Sequence, residues 1–217
     1  MNRYNMADII PNISIDVALF GFKGIKLEVL LIKRDKKPEM DQWSLPGGYV
    51  YMDESIKDAA KRRLKELTGI TKLYLSQIAL FGDTNRYPTR RLVSVLFCAL
   101  IKPEQFKLIA GSDAKDVEWF KVSELGKLPF DHNEMINTAM LWFKNEIWRE
   151  PIFINLLPQK FPLNQMQNLF TQFLGEAIDN RNFRKKVISQ ELVEKLNEKT
   201  KGGQQRPAFL YKLKRTI

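Results

Sequence analysis

Gly47-Gly48-Tyr49-Val50-Tyr51-Met52-Asp53-Glu54-Ser55 runs directly into Ile56-Lys57-Asp58-Ala59-Ala60-Lys61-Arg62-Arg63-Leu64-Lys65-Glu66-Leu67-Thr68-Gly69-Ile70. The paired glycines supply a permissive backbone for a tight turn. Ser55, with Asp58 three residues on, forms a capping-box-like helix start. Ile56, Ala60, Leu64 and Leu67 then recur at helical spacing as a buried stripe, and Gly69 supplies the stop. Taken alone, these features predict a strand, a turn and a helix.

Outward from this segment the chain alternates strand-like and helical runs. Ile13 to Phe20 and Lys26 to Leu31 are β-rich and separated by Gly21-Phe22-Lys23-Gly24, which predicts a hairpin. Arg34 to Gln42 is a charged loop containing Pro38. Leu73 to Phe81, Leu92 to Ile101 and Asp116 to Lys121 are expected strands, with Arg86, Arg90 and Arg91 in the loop between the first two. Asn133 to Asn145 has helical periodicity. These elements predict a mixed α/β domain over residues 1–150.

Residues 151–217 have a different character. They hold 12 Lys or Arg against five Asp or Glu, so +7 of the chain's net charge of +10 lies here. A helix after Pro162 carries Leu163, Met166, Phe170 and Phe173 as its apolar stripe. A second begins at Asp179, with Phe183 and Val187 inward and Arg181, Arg184 and Lys185 turned to water. Leu192 to Leu196 and Ala208 to Leu213 flank a Gly-containing basic loop, Lys199 to Pro207. Helix, cationic helix and basic-tipped hairpin is the order of a winged helix-turn-helix. A cationic field of this kind favours a polyanionic partner.

Composition narrows the chemistry. Cys98 is the single cysteine of 217 residues and His132 the single histidine, which excludes an internal disulfide and multi-cysteine or multi-imidazole metal sites. No apolar run is long enough for a membrane helix, and Met1 to Asp8 lacks the layout of a secretory signal, so a cytoplasmic protein without membrane association is expected.

The spacing Gly48, five residues, Glu54, seven residues, Arg62, together with Leu64, Glu66, Gly69 and Ile70, resembles the Nudix box. The resemblance implies a Nudix-type α/β/α sandwich with a mixed sheet. In hydrolases of that family, carboxylates on this helix hold divalent metals around a diphosphate. Here their places are taken by Arg63, Glu66 and Leu67. Leu67 offers no oxygen and Arg63 brings positive charge where cations would sit, so neither catalytic residues nor a bound metal or cofactor are expected. Glu66 keeps a pyrophosphohydrolase alternative open. Glu54, Arg62 and Glu66 also admit a plain structural role.

Nearly the whole chain is similar to Nudix-related transcriptional regulators, a degenerate Nudix domain followed by a winged helix. Phe130-Asp131-His132, Asn155-Leu156-Leu157-Pro158 and Arg181-Asn182-Phe183-Arg184-Lys185 further resemble the Bacteroidetes branch that regulates arabinose utilisation. That likeness implies a sensor of L-arabinose or another pentose, the alternative being the branches that sense ADP-ribose or related NAD metabolites. It also implies a homodimer on palindromic operator DNA. For the effector pocket the candidates are Trp43, Glu54, Asp83, Arg86, Arg91 and Asp131. For DNA, Arg181, Asn182, Arg184 and Lys185 suit base edges, and Lys186, Lys199, Lys201, Gln204, Gln205 and Arg206 suit phosphates or the minor groove.

Overall fold

Strand β1 (Ile9–Lys23) is buried at every position from Ser14 to Phe22, where it is paired along both edges and covered on both faces. A computed structural model describes residues 9–23, 26–111, 113–148, 156–174, 176–200 and 207–214. In it β1 runs parallel to β6 (Val93–Ile101) on one edge. Along the other it pairs antiparallel first with β4 (Gly47–Tyr51) and then with β2 (Lys26–Arg34). Val17 N–H donates to the Pro46 carbonyl at 2.8 Å where these partners diverge. β3 (Trp43–Ser44) and β7 (Ala114–Lys121) pair with β2, and β5 (Ser76–Phe81) with β6, completing a mixed seven-stranded sheet.

Two helices belong with this sheet's sequence, α1 (Ile56–Thr68) and α2 (His132–Glu146). Ser55 caps α1, its hydroxyl oxygen accepting from Asp58 N–H at 3.1 Å and donating to the Asp58 carboxylate at 2.7 Å. Gly69 ends it at φ 77°, a left-handed conformation that glycine adopts without steric cost. Ala60, Leu64 and Leu67 are buried with Ile15, Val17, Leu30, Val95 and Phe97 in one core cluster, with Ile56 packed against its edge. Residues of the other strand parity, including Ala18, Phe20, Leu96 and Cys98, are buried as well.

Two sequence expectations are corrected. The strand runs through Gly21 and pairs Lys23 with Lys26. Gly21 serves close packing instead of a turn: a Cβ there would lie 2.6 Å from the Pro103 side chain and 2.9 Å from Trp119. The expected strand from Leu73 begins only at Ser76, after Lys72 turns the chain at φ 59°.

The chain divides into two compact units, Met1–Leu141 and Trp142–Ile217. In the second, α3 (Leu163–Leu174) and α4 (Asn180–Ser189) accompany a three-stranded sheet in the order β8 (Phe161–Pro162), β10 (Phe209–Leu213), β9 (Val193–Lys199). Its core is aromatic. Phe170 lies 4.5 Å from Trp148 and 5.3 Å from Phe183 between ring centroids, with Phe161, Val187 and Tyr211 also buried. Helix, helix and hairpin make this unit a small winged helix-turn-helix. Among the described residues no helix is long and apolar enough to cross a membrane.

Candidate functional site

The turn into β4, one face of α1, and the loops around residues 34–38, 86–92, 113 and 130–132 enclose a cleft of about 530 Å³. Six cationic side chains line it, Arg34, Lys36, Lys37, Arg63, Arg86 and Arg90, against three carboxylates, Asp16, Asp35 and Asp113. An aromatic platform stands among them: Tyr87 stacks on Phe130 at 5.1 Å and 25°. The Arg34 guanidinium lies 5.2 Å from the Phe130 ring centre. Arg90 lies over the Tyr49 ring at 4.6 Å and donates to the Tyr49 hydroxyl. A positively lined cleft with an aromatic wall suits an anionic ligand carrying a flat ring.

The cleft floor is a buried polar cluster. Asp16 accepts from the Ser94 hydroxyl at 2.6 Å and lies 3.7 Å from Arg86. Burial pushes its carboxyl up to about 6, against the lowering effects of the Ser94 hydrogen bond and the Arg86 charge. Burial, reinforced by the Arg34 and Arg86 charges, takes His132 down to about 3. The imidazole is therefore neutral, and its Nδ1 accepts from Leu45 N–H at 3.0 Å, which leaves the proton on Nε2, 3.7 Å from Asp16 Oδ1. Gly47 lets β4 pass this floor, because a Cβ there would fall 2.6 Å from the Ile15 carbonyl oxygen.

Along the rim, charges alternate in a chain, Glu54, Arg62, Glu66, Arg63, Asp113 and Lys36. Glu54 takes two hydrogen bonds from Arg62, at 2.8 and 2.6 Å, and one from Tyr51 N–H at 2.8 Å. Burial acts to raise its pKa, but the Arg62 and Tyr51 hydrogen bonds prevail and hold it below the ordinary carboxylate value. Arg62 also donates to the Tyr49 carbonyl at 2.9 Å and to Glu66 at 3.2 Å, and lies over the Tyr51 ring at 3.8 Å. Arg63 donates to Glu66 at 2.6 Å and to Asp113 at 3.3 Å, and Lys36 pairs with Asp113 at 2.8 Å.

The candidates named from sequence separate accordingly. Arg86 is buried in the cleft wall and grips Asp131 through two hydrogen bonds of 2.7 and 2.8 Å, so these two are brought together. Trp43 stands outside the lining, edge-on to Phe120 at 4.7 Å. Glu54 is committed to Arg62. Asp83 is exposed and contributes its carbonyl to Arg86 N–H at 3.3 Å, while Arg91 is exposed and donates to the Gly82 carbonyl. Sequence reasoning missed Asp16, Arg34, Tyr87, Asp113 and Phe130. Asp16 carried a signal, the one charged side chain in the otherwise apolar run Ile15 to Phe22.

On α4, Asp179 caps the helix by accepting from Asn182 N–H at 2.9 Å. Arg181, Asn182, Arg184 and Lys185 are exposed on one side while Phe183 and Val187 are buried on the other. Arg184 donates to the Tyr211 hydroxyl at 3.2 Å. Lys186 places its ammonium 3.9 Å over Trp148, and Lys199, exposed, lies 4.8 Å from the Phe209 ring centre. Lys201, Gln204, Gln205 and Arg206 lie outside the described residues.

A divalent metal of the Nudix hydrolase kind does not fit the residues on α1. Leu67 is apolar and buried, Arg63 is a cation, and the Glu66 carboxylate is engaged by two arginines. Among the described residues no group of three or more His, Cys, Asp or Glu is arranged to hold a metal ion.

Residues 11–142 match the NUDIX domain, and residues 153–213 match the NrtR DNA-binding winged helix domain. The ADPR responsive transcriptional repressor NtrR of Acinetobacter baylyi is 32% identical over 206 residues, covering 93% of this chain and 82% of that relative. Shewanella oneidensis NrtR complexed with a 27mer DNA superposes with a TM-score of 0.76 at 28% identity, covering 93% of each chain. The NUDIX domain of the same protein complexed with ADP ribose superposes with a TM-score of 0.55 at 28% identity, covering 63% of this chain and 92% of that one. These relatives overturn the expectation of an arabinose-utilisation regulator sensing a pentose. The cationic cleft has no counterpart in the needs of a neutral sugar. The chain belongs to the NUDIX domain family, in the branch that joins this domain to an NrtR DNA-binding winged helix.

Proposed function

We propose that this protein is a transcriptional regulator that binds ADP-ribose or a closely related NAD metabolite in its Nudix cleft and operator DNA through its winged helix. The observation that carries the reading is the Tyr87 and Phe130 stack set among Arg34, Lys36, Lys37 and Arg90: an aromatic platform for adenine beside cations for a diphosphate. Arg86 with Asp131, and Asp16, offer the donors and acceptors that ribose hydroxyls require. Arg181, Asn182, Arg184 and Lys185 are the base-reading set, and Lys186 and Lys199 with Lys201, Gln204, Gln205 and Arg206 the phosphate or minor-groove set. A homodimer matches the symmetry of a palindromic operator. The α1 face, with Arg63 and Leu67 among its residues, supports sensing without hydrolysis.

The test is a titration of the full chain against a duplex recovered by selection from random sequence, with and without ADP-ribose. ADP-ribose shifts the DNA-binding curve and L-arabinose leaves it in place. No AMP is released on incubation with Mg²⁺. A curve indifferent to ADP-ribose, or steady AMP release abolished by Glu66→Gln, overturns the reading.

A further inference from the structure

Among the described residues, oxygen acceptors from three separate segments build the Arg63 side chain into the cleft. Its Nε donates to the Gly47 carbonyl at 3.1 Å, Nη1 to Glu66 Oε2 at 2.6 Å on its own helix, and Nη2 to Asp113 Oδ2 at 3.3 Å on the approach to β7. Gly48 leaves room for it, since a Cβ at that position would collide with the Arg63 Nε. Only 8% of the Arg63 side chain is exposed, so its charge is held in place and not solvated at random. One carbonyl and two carboxylates are the kind of hard oxygens that a divalent cation takes, here arranged around the three nitrogens of a guanidinium. Guanidinium is planar and permanently charged, and its fork satisfies several oxygens at once, which a lysine ammonium on a flexible stem does less well.

We infer that Arg63 is the built-in cation of this site: it holds together oxygen donors that would otherwise call for a divalent metal, so effector recognition proceeds without one. The inference rests on the proposed ADP-ribose reading for its effector arm, but not for its metal arm. Removing the guanidinium takes away the cation that Glu66 and Asp113 share, leaving Glu66 with Arg62 at 3.2 Å and Asp113 with Lys36 at 2.8 Å, and opens the space between the two carboxylates and the Gly47 carbonyl to another cation. Arg63→Ala therefore turns the locus into a divalent-cation site. It also makes the neighbouring cationic wall dependent on added metal.

The full chain and Arg63→Ala are titrated with Mn²⁺ alone, read by the electron paramagnetic resonance of the free ion, and with ADP-ribose in EDTA or in Mg²⁺. The wild type takes up no Mn²⁺ stoichiometrically, and its ADP-ribose affinity in EDTA and in Mg²⁺ agrees within about twofold. Arg63→Ala takes up Mn²⁺, loses about tenfold in ADP-ribose affinity in EDTA and regains most of it in Mg²⁺. Wild-type uptake of Mn²⁺, a wild-type requirement for Mg²⁺, or a folded Arg63→Ala that takes up no Mn²⁺ overturns the inference. Should Arg63→Ala fail to fold, the two wild-type arms decide without it. Should ADP-ribose fail to bind the wild type, the effector reading falls while the Mn²⁺ arms still judge Arg63.

Discussion

Helices α1 and α4 each carry consecutive basic residues, yet they use them in opposite ways. On α1, Arg62 and Arg63 are drawn inward by Glu54, Glu66 and Asp113, and their side chains are only 20% and 8% exposed. On α4, Arg181, Arg184 and Lys185 are exposed, and among the described residues no carboxylate lies within ion-pair distance of them. The residue types are nearly the same; what differs is the supply of anions. Where carboxylates share the neighbourhood, arginine becomes a tie between a helix and its loops. Where they are absent, its charge is left for an external polyanion.

The comparison is strained hardest by removing an anion from α1. Glu54→Gln leaves the partly buried Arg62 without its two charge-assisted hydrogen bonds, and destabilisation of about 3 kcal/mol is expected in a urea titration. Its pH signature is specific. Because Glu54 has a lowered pKa in the folded state, its contribution is present above the unfolded value and lost as pH falls through the folded one. The wild type therefore loses stability on acidification below about pH 4.5 through this group, and Glu54→Gln removes that component of the slope. A loss below about 0.5 kcal/mol, the size of an ordinary surface substitution, would mean that the α1 arginines are as loosely held as those of α4.

How far these arrangements could be read in advance follows from the reach of the interactions. The Arg62 and Glu66 pair is four residues apart on one helix, a spacing at which side chains meet, and it forms at 3.2 Å, in keeping with the structural role their positions admit. The Ser55 cap, the Gly69 stop, and the inward Phe183 and Val187 are equally local and were equally visible. Glu54 reaching Arg62 across eight residues, Arg63 reaching Asp113 across 50, and Arg86 reaching Asp131 across 45 depend on how strands and loops come together. Tyr87 and Phe130 are ordinary loop residues until the fold stacks them. The expected pentose fails for a related reason: the charge of the cleft is assembled from Arg34, Lys36, Lys37, Arg63, Arg86 and Arg90, which come from stretches far apart in the sequence.

A change on α4 should behave differently. Arg184→Ala removes an exposed side chain that donates to the Tyr211 hydroxyl at 3.2 Å, so stability changes by less than about 0.5 kcal/mol. Operator affinity falls by about 1–3 kcal/mol, with relaxed preference at one base position, while ADP-ribose affinity is retained. Anisotropy titrations against a panel of single-base operator variants read this directly. Equal loss across all sequences would make Arg184 a phosphate contact, and loss of stability would place it with the α1 arginines.

Lys186 is the intermediate case and separates the two behaviours most finely. It shares α4 with the freely exposed cations, yet its ammonium sits 3.9 Å over Trp148, a ring that packs on Phe170 and Phe183 in the core of the same unit. An exposed cation over an aromatic face contributes about 0.5–1 kcal/mol, and Lys186→Ala should lose about that much in thermal stability. An ammonium held by a ring still directs N–H bonds outward, so Lys186 can steady the helix and reach a phosphate together. In that event Lys186→Ala also lowers the salt dependence of DNA binding by about one phosphate contact, without changing which sequence is preferred. A salt slope identical to the wild type would show that the ring has claimed the charge entirely, and that α4, like α1, spends part of its basic run on its own architecture.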